Sequence, residues 1–193
     1  MILTRRSPLG AVALAVGDAL RRHGIQAVLT GGACASIHTR GVYQSRDVDF
    51  ILVGAVTQAR LDEAMAGVGF LRKGDRYVHS RVAFYVEFPR GPLAVGHDYR
   101  IRPVERRGAN GRRALMLSAT DSCRDRLAAF YHWTDRSSLE VAVAIALRNR
   151  IRLAAVRRWS IEEGFAHGFE EFLREVRRRR AAHRRRRARA RCS

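Results

Sequence analysis

Two aspartates separated by a single valine open the apolar run Asp47–Val53, and no other segment constrains the fold as tightly. Read as a strand, the run sends successive side chains to opposite faces. Asp47 and Asp49 then share one face, while Val48 and Phe50 share the other. Such a strand must bury its apolar face in a core and hold two like charges side by side on the opposite face. Adjacent carboxylates repel and cost free energy unless a cation joins them. A hard divalent cation with oxygen ligands, magnesium or manganese, suits that arrangement.

Around this strand the pattern is that of an α/β core. Val12, Val16, Ala19, Leu20 and His23 recur at helical spacing and predict a helix over 8–23, with Ser7 and Pro8 as N-cap and first helical residue and Gly24 as its end. Gln26–Thr30 reads as a short strand, Gly31-Gly32 as a turn and Ala33–Thr39 as a short helix. A helix over Gln58–Gly67 and strands over Phe70–Lys73 and Arg76–His79 follow, the strands joined by a Gly74-Asp75 turn. Val82–Phe88 alternates, with Val82, Phe84, Val86 and Phe88 facing one way and Ala83, Tyr85 and Glu87 the other. Tyr99–Arg106 and Arg113–Leu117 read as the last strands.

Ser118 to Asp121 has the form of a capped helix start, and from there the periodicity is helical: Cys123–Trp133, Ser138–Arg148, 151–158 and 161–180. The expected organisation is a core over 1–117, a C-terminal helical segment over 118–180 and a basic, flexible tail over 181–193.

Glu87 adds a third carboxylate on the polar side of an otherwise apolar strand. If that strand lies beside Asp47–Val53, the three carboxylates converge in a layout suited to metal-assisted phosphoryl or nucleotidyl transfer. Gly31-Gly32, at a helix start, lets backbone N–H groups approach a phosphate closely.

Leu29-Thr30-Gly31-Gly32, a short helix, and then Ser45-Arg46-Asp47-Val48-Asp49-Phe50 resemble the signature of the nucleotidyltransferase superfamily, with Glu87 in Tyr85-Val86-Glu87-Phe88 as its later acidic residue. The stretch Asp121–Phe130, continuing through Tyr131-His132-Trp133-Thr134-Asp135-Arg136, is similar to the first C-terminal helix of the small bacterial group that includes AbiEii-like toxins and the minimal nucleotidyltransferases of toxin–antitoxin loci. The resemblance covers residues 25–145. It implies a mixed sheet with flanking helices, a nucleoside triphosphate (ATP or another NTP) as substrate, and a tRNA or protein acceptor. Asp47, Asp49 and Glu87 would be metal-binding and catalytic, and Gly31, Gly32, Ser45 and Arg124 would bind the nucleotide. It also implies a cognate toxin or antitoxin partner. Two departures stand out: the interval from Gly32 to Asp47 is long, and Arg124 occupies the place where many relatives carry a lysine.

Other readings of the same residues remain open at this level. Asp47 and Asp49 could pair with Arg46 and Arg40, Glu87 could be a solvated outer-face residue, and Ser45 could cap a turn. Arg124 and Arg126 could form helix-surface pairs with Asp121 and Asp125, and Tyr131-His132-Trp133 could be core or a base-stacking platform. His79 and His97 lack ligand spacing and read as structural or surface residues. The alternative function is a catalytically weak antitoxin of the same fold, or a nucleic-acid-binding module.

The formal net charge of +19 is concentrated in Arg174–Arg191, which holds eleven arginines against one glutamate. That run is a phosphate-contacting arm for RNA or DNA, or the compositional bias of an arginine- and alanine-rich chain in which Lys73 is the sole lysine. Cys34, Cys123 and Cys192 form no CxxC pair or zinc spacing, which fits a reducing, cytoplasmic setting. Asp18, Arg21 and Arg22 interrupt the N-terminal apolar stretch and argue against an export signal, and no run is long enough to cross a membrane.

Overall fold

A computed structural model describes residues 3–189; Cys192 and the last four residues of the basic tail lie outside them. Helix α1 spans Leu9–Arg22, strand β1 Ala27–Leu29, α2 Gly31–His38, β2 Asp47–Leu52, α3 Gln58–Ala66, β3 Phe70–Lys73 and β4 Arg76–His79. Strands β5 (Tyr85–Glu87), β6 (Val104–Arg107) and β7 (Arg113–Met116) complete the sheet. Helices α4 (Ala119–Trp133), α5 (Arg136–Arg148), α6 (Leu153–Glu162) and α7 (Ala166–Arg189) follow.

The seven strands form one mixed sheet in the order β3-β4-β5-β2-β1-β7-β6. The pairs β1–β7 and β2–β5 are parallel, and the remaining neighbours are antiparallel. The expected α/β class, a mixed sheet with flanking helices and a helical C-terminal segment, is therefore the observed one. The last strand ends at Met116, and Ser118 caps α4 by accepting the Asp121 N–H while donating its hydroxyl to the Asp121 carboxylate.

Packing explains the element choices. Helix α1 buries Val12, Val16 and Leu20 along one stripe, and Gly17 lets it approach β7 so closely that a Cβ there would overlap Ala114. Its buried Asp18 is held by Arg21 and Arg22 at 3.0 and 2.8 Å. Val48 and Phe50 of β2 and Val86 of β5 are fully buried, as alternation requires. In the C-terminal segment Phe169, Phe172 and Val176 seat the first half of α7 against α5 and α6. Removing the Phe172 ring should cost about 3–4 kcal/mol, read as a lower denaturation midpoint for Phe172→Ala.

The structure departs from the sequence pattern in five places, the first being the strand expected over Val82–Phe88, which is formed only over Tyr85–Glu87. Pro8, not Ser7, is the N-cap of α1, and the Ser7 hydroxyl instead accepts from the Thr4 N–H. Gly31 and Gly32 are the first two residues of α2 rather than a turn before it. Residues 99–103 form no strand, and Pro103 has no N–H to offer a ladder. Helix α7 continues through Arg189, past residue 180, and its exposed residues 177–185 lie beyond the last seated side chain. Among the described residues no helix is long and apolar enough to cross a membrane.

Candidate active site

Strand β2 carries Asp47 and Asp49 at its N-terminal end, beside the end of β1, where the Thr30 N–H donates to the Asp49 carbonyl at 2.9 Å. The parallel pairing of β2 with β5 sets Asp47 opposite Tyr85, Val48 opposite Val86 and Asp49 opposite Glu87. The two strands thus share a facing pattern: valines to the core, acidic residues to the other side. One carboxylate oxygen from each of Asp47, Asp49 and Glu87 lies within 4.8 Å of the others. All three side chains are partly exposed. Among the described residues none of the three is ion-paired, so the pairing of Asp47 and Asp49 with Arg46 and Arg40 is not what the fold builds.

Like charges beside a carboxyl disfavour its ionised form. Burial, and after it the charges of Asp47 and Glu87, push the Asp49 carboxyl up to about 7. A cation drawn to this corner would relieve that repulsion, and the donor set, three carboxylate oxygens open to solvent, fits magnesium or manganese.

The glycines form the wall of the corner. Gly31 has φ +60°, in the left-handed region, and a Cβ there would overlap Asp49 Oδ2. A Cβ at Gly32 would overlap the Ser45 hydroxyl. The N-terminus of α2 therefore stands directly against the carboxylates, and its first-turn N–H groups are of the kind a helix leaves without intrahelical partners. Ser45 is buried. Its N–H donates to Ser36 Oγ at 3.0 Å, and its hydroxyl donates to Asp47 Oδ1. Ser45 thus holds Asp47 in place, and its one hydroxyl proton is committed to that carboxylate.

Arg124 is not brought to the triad. Its guanidinium donates to Asp121 Oδ1 at 3.0 Å and Asp98 Oδ2 at 2.7 Å, and lies 4.9 Å from the Trp159 ring centroid. Its side chain is 8% exposed, which leaves it little reach toward a triphosphate. Two other α4 residues, Asp125 and Arg126, act on the Asp49 carboxyl through their charges, Arg126 lowering its pKa and Asp125 raising it. Arg126 donates to Asp125 Oδ2 at 2.8 Å. Burial opposes its charge, but Asp125, Tyr43 and Asp49 outweigh burial and raise its pKa. Both helix-surface pairs that the sequence allows are formed, Arg124 with Asp121 and Arg126 with Asp125, and of the two arginines only Arg126 acts on the Asp49 carboxyl. Residues two apart on a helix lie on different faces, so only one of them could turn to Asp49.

Partial burial pushes the Asp98 carboxyl up, yet its bonds to Arg124 and Arg100 win and hold it at about 2. A depressed carboxyl pKa stabilises the fold above the unfolded-state value and loses that contribution as pH falls toward the folded one. The Asp98 contribution should therefore be full above about pH 4 and fade toward pH 2. Arg124→Gln should lower stability by about 2 kcal/mol near neutral pH and make unfolding between pH 4 and 2 less steep, seen in paired acid titrations. Cation binding at the triad should not change.

Tyr131, from the aromatic cluster of α4, is core: it stacks on Phe165 at 4.8 Å and on Trp159 at 5.7 Å, and bonds Ser160. Trp133 is 76% exposed. His97 is tied to Glu163 at 2.8 Å, and His79 packs on Phe70.

The sequence matches no protein-family model, and no curated protein matches it. The crystal structure of an antigenic nucleotidyltransferase-like protein from Paracoccidioides brasiliensis is similar in fold, with a TM-score of 0.53 at 13% identity, covering 74% of this chain and 77% of that one. The fold is thus nucleotidyltransferase-like.

Proposed function

We propose that the protein is a metal-dependent nucleotidyltransferase that moves a nucleotidyl group from a nucleoside triphosphate to a hydroxyl of an RNA, such as tRNA, or of a protein, within a toxin–antitoxin type system. The observation that carries this reading is the convergence of Asp47, Asp49 and Glu87 within 4.8 Å, with no ion pair to any of them among the described residues. The helix start at Gly31-Gly32, pressed against Asp49, supports it.

Asp47, Asp49 and Glu87 would hold magnesium or manganese, which when bound supplies charge neutralisation at the triphosphate and acidifies the acceptor hydroxyl. First-turn N–H groups of α2 donate to phosphate oxygens. Ser45 fixes the Asp47 carboxylate. Arg126, whose charge acts on Asp49, would place positive charge near the leaving group. The acceptor oxygen forms a bond to the α-phosphorus and the α–β anhydride bond breaks. Pyrophosphate departs with the electron pair, and the hydroxyl proton passes to Glu87 and on to water.

The test incubates ATP, CTP, GTP or UTP, each labelled at the α-phosphate, with magnesium, bulk tRNA and lysate protein. Label on RNA or protein is expected with wild type and lost with Asp47→Ala/Asp49→Ala. No transfer from any nucleotide by a folded wild-type protein would leave a binding module in its place.

A further inference from the structure

A cavity of about 780 Å³ opens beside β6, between the start of α4, the α5–α6 link with α6 itself, and the extended stretch around 98–104. Arg100, Arg102, Arg124, Arg150, Arg152 and Arg158 line it. Arg100 and Arg124 are paired with Asp98, and Arg124 also with Asp121. The other four are exposed, and among the described residues none of them makes an ion pair or a side-chain hydrogen bond. Glu162 is the remaining carboxylate in the wall.

These four arginines come from three separate segments: residue 102 from the extended stretch, 150 and 152 from the link between α5 and α6, and 158 from α6. A biased composition explains a run such as the one in α7. The fold is what gathers cations from three segments into one concavity, and their mutual repulsion favours an anionic occupant. Guanidinium groups suit phosphate oxygens, which they bind through forked hydrogen bonds. The aromatic residue of the wall, Trp159, is 3% exposed and offers no stacking platform. The recognition available is therefore charge and hydrogen bonding to several phosphates.

The cavity and the triad lie at the same end of the sheet. Leu29 of β1 is in register with Phe50 of β2 and with Met116 of β7. Asp49, one residue before Phe50, and Ser118, two residues after Met116, thus lie at the same end of the sheet, and Ser118 and Arg124 line the cavity.

We infer that this cavity binds the phosphodiester backbone of a single-stranded nucleic acid and leads its end toward the triad. The delivery of an acceptor rests on the transferase reading above; the binding itself does not.

The test is fluorescence anisotropy of a short labelled single-stranded RNA with the full chain. One variant combines Arg102→Gln, Arg150→Gln, Arg152→Gln and Arg158→Gln. A control removes the same charge from the exposed part of α7, as Arg177→Gln, Arg179→Gln, Arg184→Gln and Arg185→Gln. At about 0.1 M salt the cavity variant should bind about tenfold or more weakly, with the salt slope reduced by about 0.7 for each phosphate that the protein no longer neutralises. The α7 variant should weaken less. DNA of the same sequence should bind comparably, because the cavity grips the backbone.

Equal losses of affinity in both variants would reduce the effect to net charge and overturn the inference, as would unchanged affinity in the cavity variant. Inorganic phosphate competing as well as RNA at equal phosphate concentration would assign the cavity to a free anion, and polyglutamate doing so would assign it to an acidic protein; either result overturns it. If the protein transfers nothing yet the cavity variant alone loses RNA, the transferase reading falls and the binding site stands.

Discussion

Asp49→Asn should abolish transfer and, in the absence of divalent cation, make the protein more stable. The two effects share one cause. Asp49 is partly buried between Asp47 and Glu87, and its carboxyl is pushed up to about 7 by burial and by those two charges. At pH 8 the ionised group works against the fold. An amide of the same shape removes the repulsion, for a gain of about 1–2 kcal/mol after allowance for solvent screening. In a domain of this size that corresponds to a melting temperature higher by about 2–6 °C in chelator. Magnesium reverses the ranking, because wild type gains about 2.7 kcal/mol at a hundredfold excess over Kd and the variant gains little. Transfer should fall by about a thousandfold or more, the cost of losing several kcal/mol of charge stabilisation at the reacting phosphate. Thermal melts of both proteins, with chelator and with magnesium, check the stability half. Equal melting temperatures in chelator would mean that the carboxylates do not strain the fold.

The second large effect is expected at the glycine that touches this carboxylate. Gly31→Ala places a Cβ where Asp49 Oδ2 now sits, at a residue whose φ is +60°. The left-handed backbone costs an L-residue about 1 kcal/mol, and the overlap adds about 1–3 kcal/mol if the strand cannot yield. Chemical denaturation should show a loss of about 2–4 kcal/mol in total. If β2 yields, the stability loss shrinks but Asp49 moves off its partners, and transfer falls together with cation affinity. Gly31→Ala with wild-type stability and wild-type transfer would remove the close approach of α2 to the carboxylates from the account.

The acidic corner was legible in part. The spacing of Asp47 and Asp49 on an apolar strand sufficed to place them on one face, because side-chain alternation is a local property. Glu87 lay on the polar side of its own strand by the same rule, but its position opposite Asp49 depends on β5 entering the sheet parallel to β2 after the β3–β4 hairpin. That is a tertiary fact which the resemblance, not the pattern, anticipated. The choice between Arg124 and Arg126 was not legible. Both lie on α4 beside acidic neighbours, and which one turns to Asp49 depends on how α4 packs on α2 and α6.

The role of Ser45 was similarly open. Its commitment to Asp47, with Gly32 packed against the hydroxyl, depends on how α2 meets the start of β2. The arginine cavity was invisible because its four unpaired residues are separated in the chain and read as scattered surface charge. The α/β core and the switch to helices at Ser118 were plain from periodicity, while the mixed sheet was what the resemblance implied. The ends of α2 and α7 were not, since glycines and a polar arginine run carry little periodic signal.

The most direct test of the account is manganese binding to the metal-free protein, followed by the electron paramagnetic resonance signal of the free ion, in wild type and in Asp49→Asn. The account predicts one site in wild type, weakened about a hundredfold or more in the variant, and competed by magnesium. Manganese bound equally by both proteins, or by neither, would contradict the assignment of Asp47, Asp49 and Glu87 as a metal centre.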